Sequence, residues 1–134
     1  MSDLQKTTTL LMFDGKAEED MNFYISLFNN SGIISLNKYQ AGEPGAEGTV
    51  KHAAFTLNGT QYMCIDSNVK QNFTFSPAMS IYVNCDTETE IDRLFGQLSK
   101  DGKVYMPLAP YPFSKKFAWV EDRYRASWQL GLKQ

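Results

Sequence analysis

The sequence predicts an α+β fold made of two βαβββ modules, and three observations lead to this prediction. The order strand, helix, three strands occurs twice, with a period near half the chain. Each predicted helix carries one apolar stripe at three- and four-residue steps. The length of 134 residues suits one domain that buries its own core. We therefore assign residues 1–134 to a single domain, with module one at about residues 7–66, a linker at 67–77 and module two at about 78–132.

Module one begins with a short strand that is rich in β-branched and apolar residues. Asp14 and Gly15 end this strand, and Asp14 is a candidate helix N-cap. The helix that follows has its apolar stripe at Ala17, Met21, Tyr24 and Phe28. Asn58-Gly59 is a two-residue hairpin signal between the last two strands. The predicted strands are 7–13, 33–39, 49–57 and 61–66.

Module two repeats this order after the irregular linker. Thr87 and Glu90 have the spacing of a capping box, which predicts a helix N-terminus. Its apolar stripe contains Ile91, Leu94 and Leu98. The predicted strands are 78–85, 103–106, 116–121 and 126–132.

Each predicted module is a curved sheet with a helix on one side, too small to close a core alone. Two modules side by side would leave their other sheet faces lining a shared trough. A concave surface of this kind is a natural site for a small molecule.

Composition excludes several classes of function. The formal net charge of −2 provides no basic surface for nucleic acid or an anionic membrane. No apolar run approaches the roughly 20 residues that span a bilayer. The N-terminus has no apolar signal segment, and the only cysteines, Cys64 and Cys85, lie in predicted strands. Two buried, reduced thiols are typical of a cytoplasmic protein.

Segments along the whole chain resemble the PhnB-like branch of the glyoxalase/bleomycin-resistance/dihydroxybiphenyl dioxygenase (vicinal oxygen chelate) superfamily. This branch is also labelled a demethylubiquinone 3-methyltransferase-like domain. Ala118 and Arg125 stand where the branch usually has glycine. The resemblance implies the paired-module fold and a homodimer. The segments that carry it are LMFDGKAEE at 11–19, NFY at 22–24, GEPG at 42–45, GTVKHA at 48–53, FSPAMS at 75–80, VNC at 83–85, YPFSKKFAWVED at 111–122 and SWQL at 127–130.

The methyltransferase label has no support in the residues. Methyltransferases that use S-adenosylmethionine usually cradle it with a glycine-rich turn between a strand and a helix. The one comparable turn, Asp14-Gly15, offers a single glycine. We therefore expect no such cofactor.

Glyoxalase-type members of the superfamily hold a divalent metal with four His, Glu or Gln side chains in the trough. Strand alternation and the resemblance together put these positions at Thr9, Cys64, Ser80 and Gln129. Hard divalent ions prefer carboxylates or imidazoles, so this set is poor and we expect no bound metal. We predict instead that small polar and aromatic side chains line the trough and contact a ligand: Thr9, Phe13, Phe55, Tyr62, Cys64, Ser80, Tyr82, Phe117, Trp119 and Gln129.

No catalytic residue can be identified. The Asn58-Gly59 turn pairs Ala53 with Cys64, which puts His52, the only histidine, on the side away from Cys64. We therefore expect a structural role for His52, at the surface, a hairpin edge or a subunit contact. Cys64 has no basic neighbour in the sequence and is expected to be a small packed hydrophobe. Asp66 could serve as a base, although a solvated turn carboxylate is commoner.

Three functions remain open. The first is a cytoplasmic, homodimeric protein that binds a flat apolar or aromatic molecule without a metal. The second is a metal-dependent lyase or dioxygenase-like enzyme with an unrecognised ligand set. The third is a dimerisation or interaction domain whose trough is filled by its own Phe73 or Phe113.

Overall fold

The computed structural model describes residues 5–134 and confirms the α+β class and the repeated βαβββ order. Residues up to Asn72 form one compact unit and Phe73–Gln134 form a second. Within the described residues, no helix is long and apolar enough to cross a membrane. The first unit contains β1 (Thr9–Phe13), α1 (Ala17–Leu27), β2 (Gly32–Lys38), β3 (Val50–Leu57) and β4 (Thr60–Asp66). The second contains β5 (Ser80–Cys85), α2 (Glu88–Ser99), β6 (Lys103–Tyr111), β7 (Ser114–Glu121) and β8 (Ser127–Leu132).

Each unit has one four-stranded sheet, ordered β1-β4-β3-β2 in the first and β5-β8-β7-β6 in the second. The first strand of each unit pairs in parallel with the last, and the remaining pairs are antiparallel. The β3–β4 turn has φ angles of 52° at Asn58 and 84° at Gly59, which suit an Asn-Gly hairpin. This turn fixes the predicted register, with Ala53 opposite Cys64.

The helix of the first unit packs on the face that we predicted to be open. Ala53, Phe55 and Cys64 share one face of the sheet by register and are 0% exposed. α1 contacts β3 and β4 and buries Met21 and Tyr24. The predicted alternation along the strands is therefore correct. In this unit, however, the residues predicted for the open side lie on the helix side, and those predicted for the helix side lie on the open side.

The N-terminus of α1 also differs from the prediction. Lys16, not Asp14, occupies the N-cap position, and it makes no capping hydrogen bond through its side chain. The carboxylate of Asp66, at the end of β4, accepts hydrogen bonds from the amides of Gly15 at 2.8 Å and Ala17 at 3.0 Å. A remote strand thus supplies the acceptor that a local cap would provide.

The second unit follows the prediction more closely. Thr87 accepts a hydrogen bond from the Glu90 amide at 3.1 Å, which confirms the start of α2. The helix packs its apolar stripe on one face of the sheet, where the Trp128 and Leu130 side chains are 0% exposed. The core of this unit consists of Cys85, Ile91, Leu94, Leu98, Ala118, Val120, Trp128 and Leu130.

Two local features of the second unit bear on the sequence predictions. β6 is an edge strand that continues to Tyr111 through exposed Pro107 and Pro110, with register shifts against β7. Proline has no backbone N–H group. An edge strand tolerates this, because the N–H groups on its outer side have no neighbouring strand to bond to. Arg125 has a φ of 75°, the left-handed conformation that glycine adopts most easily, at a position where the resemblance implies glycine.

Candidate functional site

The candidate site lies on the side of the second sheet opposite α2, which we call the helix-free face. Lys116 identifies the two sides, because its ammonium group contacts Asp92 at 2.7 Å and Glu88 at 3.2 Å, both on α2. Its neighbours Phe117 and Trp119 are registered with Gly131 and Gln129. By strand alternation the helix-free face carries Ser80, Tyr82, Asn84, Phe117, Trp119, Glu121, Ser127, Gln129 and Gly131.

A connected set of neutral polar groups occupies the centre of this face. The hydroxyl oxygens of Ser80 and Ser127 lie 2.6 Å apart across the parallel β5–β8 pair. The indole N–H of Trp119 donates to Ser127 Oγ at 2.9 Å. Gln129 Nε2 donates to Ser80 Oγ at 3.5 Å. These four side chains form the polar network of the site.

Aromatic rings flank the polar network on both sides. The Tyr105 and Trp119 ring centroids are 5.0 Å apart, and the Tyr105 hydroxyl donates to Glu121 at 2.7 Å. This hydrogen bond to a carboxylate raises the pKa of Tyr105. On the other side, the Tyr82 and Phe117 centroids are 6.4 Å apart. The face therefore offers ring surfaces next to hydroxyl and amide groups.

Gly131 allows the Tyr82 ring to lie across β8. A Cβ atom at position 131 would come within 2.2 Å of the Tyr82 hydroxyl oxygen. Tyr82 is nevertheless 51% exposed, so its ring is accessible while it covers the strand. The structure thus places Ser80, Tyr82, Phe117, Trp119 and Gln129 on one face, as the alternation predicts.

The structure does not bring the module-one candidates to a helix-free face. Phe55 and Cys64 are 0% exposed on the side of α1, and Phe55 stacks on Tyr62 with centroids 5.7 Å apart. Thr9 and Phe13 share this side because β1 registers them with Tyr62 and Asp66. The prediction that these five residues face a trough is therefore wrong, since the helix covers that side.

Cys64 is a packed hydrophobe, as we expected. Burial, with Asp20 and Asp66 nearby, raises the pKa of its thiol to about 12. Burial likewise raises the pKa of Cys85 to about 12. A thiol that stays protonated at neutral pH is a poor nucleophile. Asp66 is not a solvated turn carboxylate, because it is buried and accepts amide hydrogen bonds.

His52 lies on the helix-free side of the first sheet. The predicted register is correct, but the reversal of the two sides brings His52 to the side opposite α1, where its Nε2 is 3.3 Å from Met63 Sδ. The interpretation that His52 points away from the open side is therefore wrong. Leu10 and Met63, registered side by side, also lie on this side. Asn37 is registered directly opposite His52 on β2, so the imidazole lies among a thioether, aliphatic groups and one amide side chain.

The divalent metal that the fold family implies does not fit these residues. Cys64 is 0% exposed on the α1 side of the first sheet, and the neutral Ser80 hydroxyl, a weak ligand for a divalent ion, is hydrogen-bonded to Ser127. Among residues 5–134, no group of three or more His, Cys, Asp or Glu side chains is arranged to hold a metal ion. We derive no metal-dependent step.

The sequence interpretation missed two residues beside the polar network. Tyr105 and Glu121 form a hydrogen-bonded pair that supports the Trp119 ring. Alternation along β7 puts Glu121 on the same side as Trp119. That signal was present in the sequence, whereas the register shifts in β6 hide the position of Tyr105.

Comparison with solved structures identifies the class of fold. The fosfomycin resistance protein FosX from Listeria monocytogenes has a TM-score of 0.66 at 13% identity, covering 100% of this chain and 95% of that chain. A glyoxylase/bleomycin resistance protein/dioxygenase domain from Frankia sp. EAN1pec has a TM-score of 0.61 at 14% identity, covering 98% and 94%. The protein has the vicinal oxygen chelate fold.

Within this class, the family is equally clear. The sequence pattern of the 3-demethylubiquinone-9 3-methyltransferase family matches residues 5–131. The PhnB protein from Bacillus cereus, which bears the same methyltransferase name, is 62% identical with a TM-score of 0.94, covering 96% of this chain and 99% of that chain. The chain belongs to this family, as a PhnB-like member. No curated protein matches it.

Proposed function

We propose that this protein binds a small, flat organic molecule on the helix-free face of the second sheet, without a metal. The observation that carries the proposal is the polar network of Ser80, Ser127, Trp119 and Gln129, which is flanked by the Tyr82 and Tyr105 rings. Apolar ring surface with a few oriented polar groups is the usual composition of a small-molecule site.

The structure offers little support for the enzymatic alternatives. Asp66 already occupies the Gly15 and Ala17 amides at the start of α1, which takes up two of the donors that a cofactor phosphate or carboxylate would use at this single-glycine turn. The described titratable residues supply no base close to the polar network except Glu121, which accepts the Tyr105 hydroxyl. Small-molecule binding therefore accounts for the polar network and its flanking rings better than methyl transfer or a metal-dependent lyase reaction does.

The dimeric state and the cytoplasmic location are also proposals. A homodimer follows from the family resemblance alone. Location in the cytoplasm is supported by the two free, buried cysteines, which need no oxidising compartment.

Binding can be tested with prodan, a neutral aromatic dye whose emission reports an apolar environment. We expect saturable binding with a blue shift, unchanged by EDTA. Trp119→Ala should weaken prodan binding about tenfold or more, because it removes both ring surface and the indole donor. The melting temperature of the variant shows whether it remains folded.

Phe73→Ala provides the matched control, since this ring is 61% exposed and lies outside the polar network. Its removal should leave the affinity for prodan unchanged. A gain in affinity would instead support a site filled by the protein's own Phe73. Full prodan affinity in a folded Trp119→Ala variant would contradict the proposed site.

A further inference from the structure

We propose that the ligand presents a neutral hydrogen-bond acceptor and donor side by side on a flat frame, as a primary amide or a lactam does. This inference rests on the proposed function and specifies the chemistry of the same site. It follows from the hydrogen positions that the polar network permits and from the charges around the network.

Ser127 fixes the direction of the central hydrogen bond. Its hydroxyl oxygen accepts from the Trp119 indole, which is only a donor. Ser127 is 4% exposed, and the other side-chain oxygen within reach of its hydroxyl is Ser80 Oγ at 2.6 Å. A buried hydroxyl that donated to nothing would cost about 1–3 kcal/mol. Ser127 therefore donates its proton to Ser80.

Ser80 consequently has a hydroxyl proton to offer. Its oxygen already accepts from Ser127, and Gln129 turns its Nε2 donor toward the same oxygen. The Ser80 O–H cannot be donated to either of these partners. Because Ser80 is only partly buried, the free O–H can reach a bound molecule.

Gln129 supplies the complementary acceptor. Because its Nε2 is engaged with Ser80, its carbonyl oxygen Oε1 is left to accept a hydrogen bond. The side chain is partly exposed and is registered between Tyr82 and Trp119 on the neighbouring strands. The site thus presents the Ser80 donor and the Gln129 acceptor next to each other, with the second Nε2 hydrogen of Gln129 as a further donor.

The charges around the network favour a neutral ligand over an anion. Ser80, Tyr82, Trp119, Ser127 and Gln129 carry no positive charge. Two cations border the network beside Tyr105: the Lys103 ammonium lies 5.1 Å from the Tyr105 ring centroid, and Arg125 Nε lies 4.0 Å from Glu121 Oε2. Glu121 adds a carboxylate beside Tyr105. Because Arg125 already faces Glu121, a ligand carboxylate at Ser80 and Gln129 would lose hydration and find no cation within the polar network itself, which is costly.

Three small probes separate the parts of the proposal: benzamide, benzoate and acetophenone, titrated into the intact protein at pH 7.5 by ligand-observed NMR. Benzamide carries both an acceptor and a donor, acetophenone only the acceptor, and benzoate a negative charge on a similar frame. We expect benzamide to bind about fivefold more tightly than acetophenone and about tenfold more tightly than benzoate.

Two variants assign the contacts. Ser80→Ala removes the donor and should weaken benzamide and acetophenone alike, by about fivefold. Gln129→Leu removes the acceptor and should lower the affinity for benzamide to that for acetophenone, leaving acetophenone unchanged. Asn84→Ala is the matched control, because Asn84 is exposed on the same strand and face outside the polar network. It should bind all three probes like the wild type.

The outcomes distinguish this inference from the proposed function. If prodan binds at Trp119 but none of the three probes binds, the inference is overturned and the proposed function stands; if neither prodan nor the probes bind, both fail. If the probes bind with Trp119 involved but benzoate binds as tightly as benzamide, the proposed function stands and the inference is overturned. Equal losses of affinity for benzamide and acetophenone in the Gln129→Leu variant would also overturn the inference. Thermal unfolding of each variant confirms that lost binding does not reflect lost folding.

Discussion

Asp66→Ala is expected to lower the free energy of unfolding by about 3–5 kcal/mol. One carboxylate oxygen accepts the amides of Gly15 at 2.8 Å and Ala17 at 3.0 Å, and the other accepts the amide of Val50 at 2.9 Å. Asp66 is 3% exposed, so its removal leaves amides that water reaches poorly. The end of β4 thereby holds the beginnings of α1 and β3.

Urea unfolding followed by circular dichroism measures this loss. Asp14→Ala is the matched control, because Asp14 is exposed and next to the same helix start. It should change stability by less than about 0.5 kcal/mol. A loss below about 1 kcal/mol in Asp66→Ala would show that these hydrogen bonds do not hold the first unit together.

Asp122→Ala is expected to destabilise the second unit by about 3 kcal/mol or more. One oxygen of this carboxylate accepts the amides of Tyr124 at 2.8 Å and Ala126 at 3.1 Å, closing the turn between β7 and β8. The other accepts the indole N–H of Trp128 at 2.8 Å. Asp122 is 1% exposed, and Trp128 is 0% exposed in the core.

Trp128→Phe removes the indole donor together with part of the buried ring, so a cavity adds to its cost. We expect the near-ultraviolet dichroism of Asp122→Ala to weaken as the Trp128 ring loses its fixed orientation. A loss below about 1 kcal/mol in Asp122→Ala would show that this carboxylate does not hold the β7–β8 turn, contrary to this account.

Sequence periodicity predicted the second sheet well because its last strand separates the two sides chemically. Trp128 and Leu130 alternate with Ser127 and Gln129, so only one assignment buries the apolar set. The capping box at Thr87 was equally local and equally clear.

The first sheet was assigned to the wrong sides because its strands are apolar on both. In β1, Leu10, Leu11 and Met12 are consecutive, so alternation cannot say which side α1 covers. The structure shows Leu10 49% exposed and Leu11 7% exposed. Alternation assigned Cys64 to the open side together with the other trough positions, whereas it packs under the helix.

The role of Asp66 could not be predicted from local patterns. Its partners at Gly15 and Ala17 are 51 and 49 positions away in the sequence, and Asp14 offered a nearer candidate for the same task.

The candidate site could be predicted from the sequence only in part. Alternation predicted which side chains share the face, but the hydroxyl pair of Ser80 and Ser127 depends on the parallel register of β5 and β8.

The two tryptophans allow the most direct test of the central claim, that a small molecule binds on the helix-free face of the second sheet. The Trp119 indole belongs to the polar network, whereas the Trp128 indole is buried against Asp122 on the other side. In a ¹H–¹⁵N spectrum of the protein titrated with benzamide, we expect the Trp119 indole signal to shift and saturate while the Trp128 signal stays in place. A stationary Trp119 signal, or a shift confined to Trp128, would contradict the account.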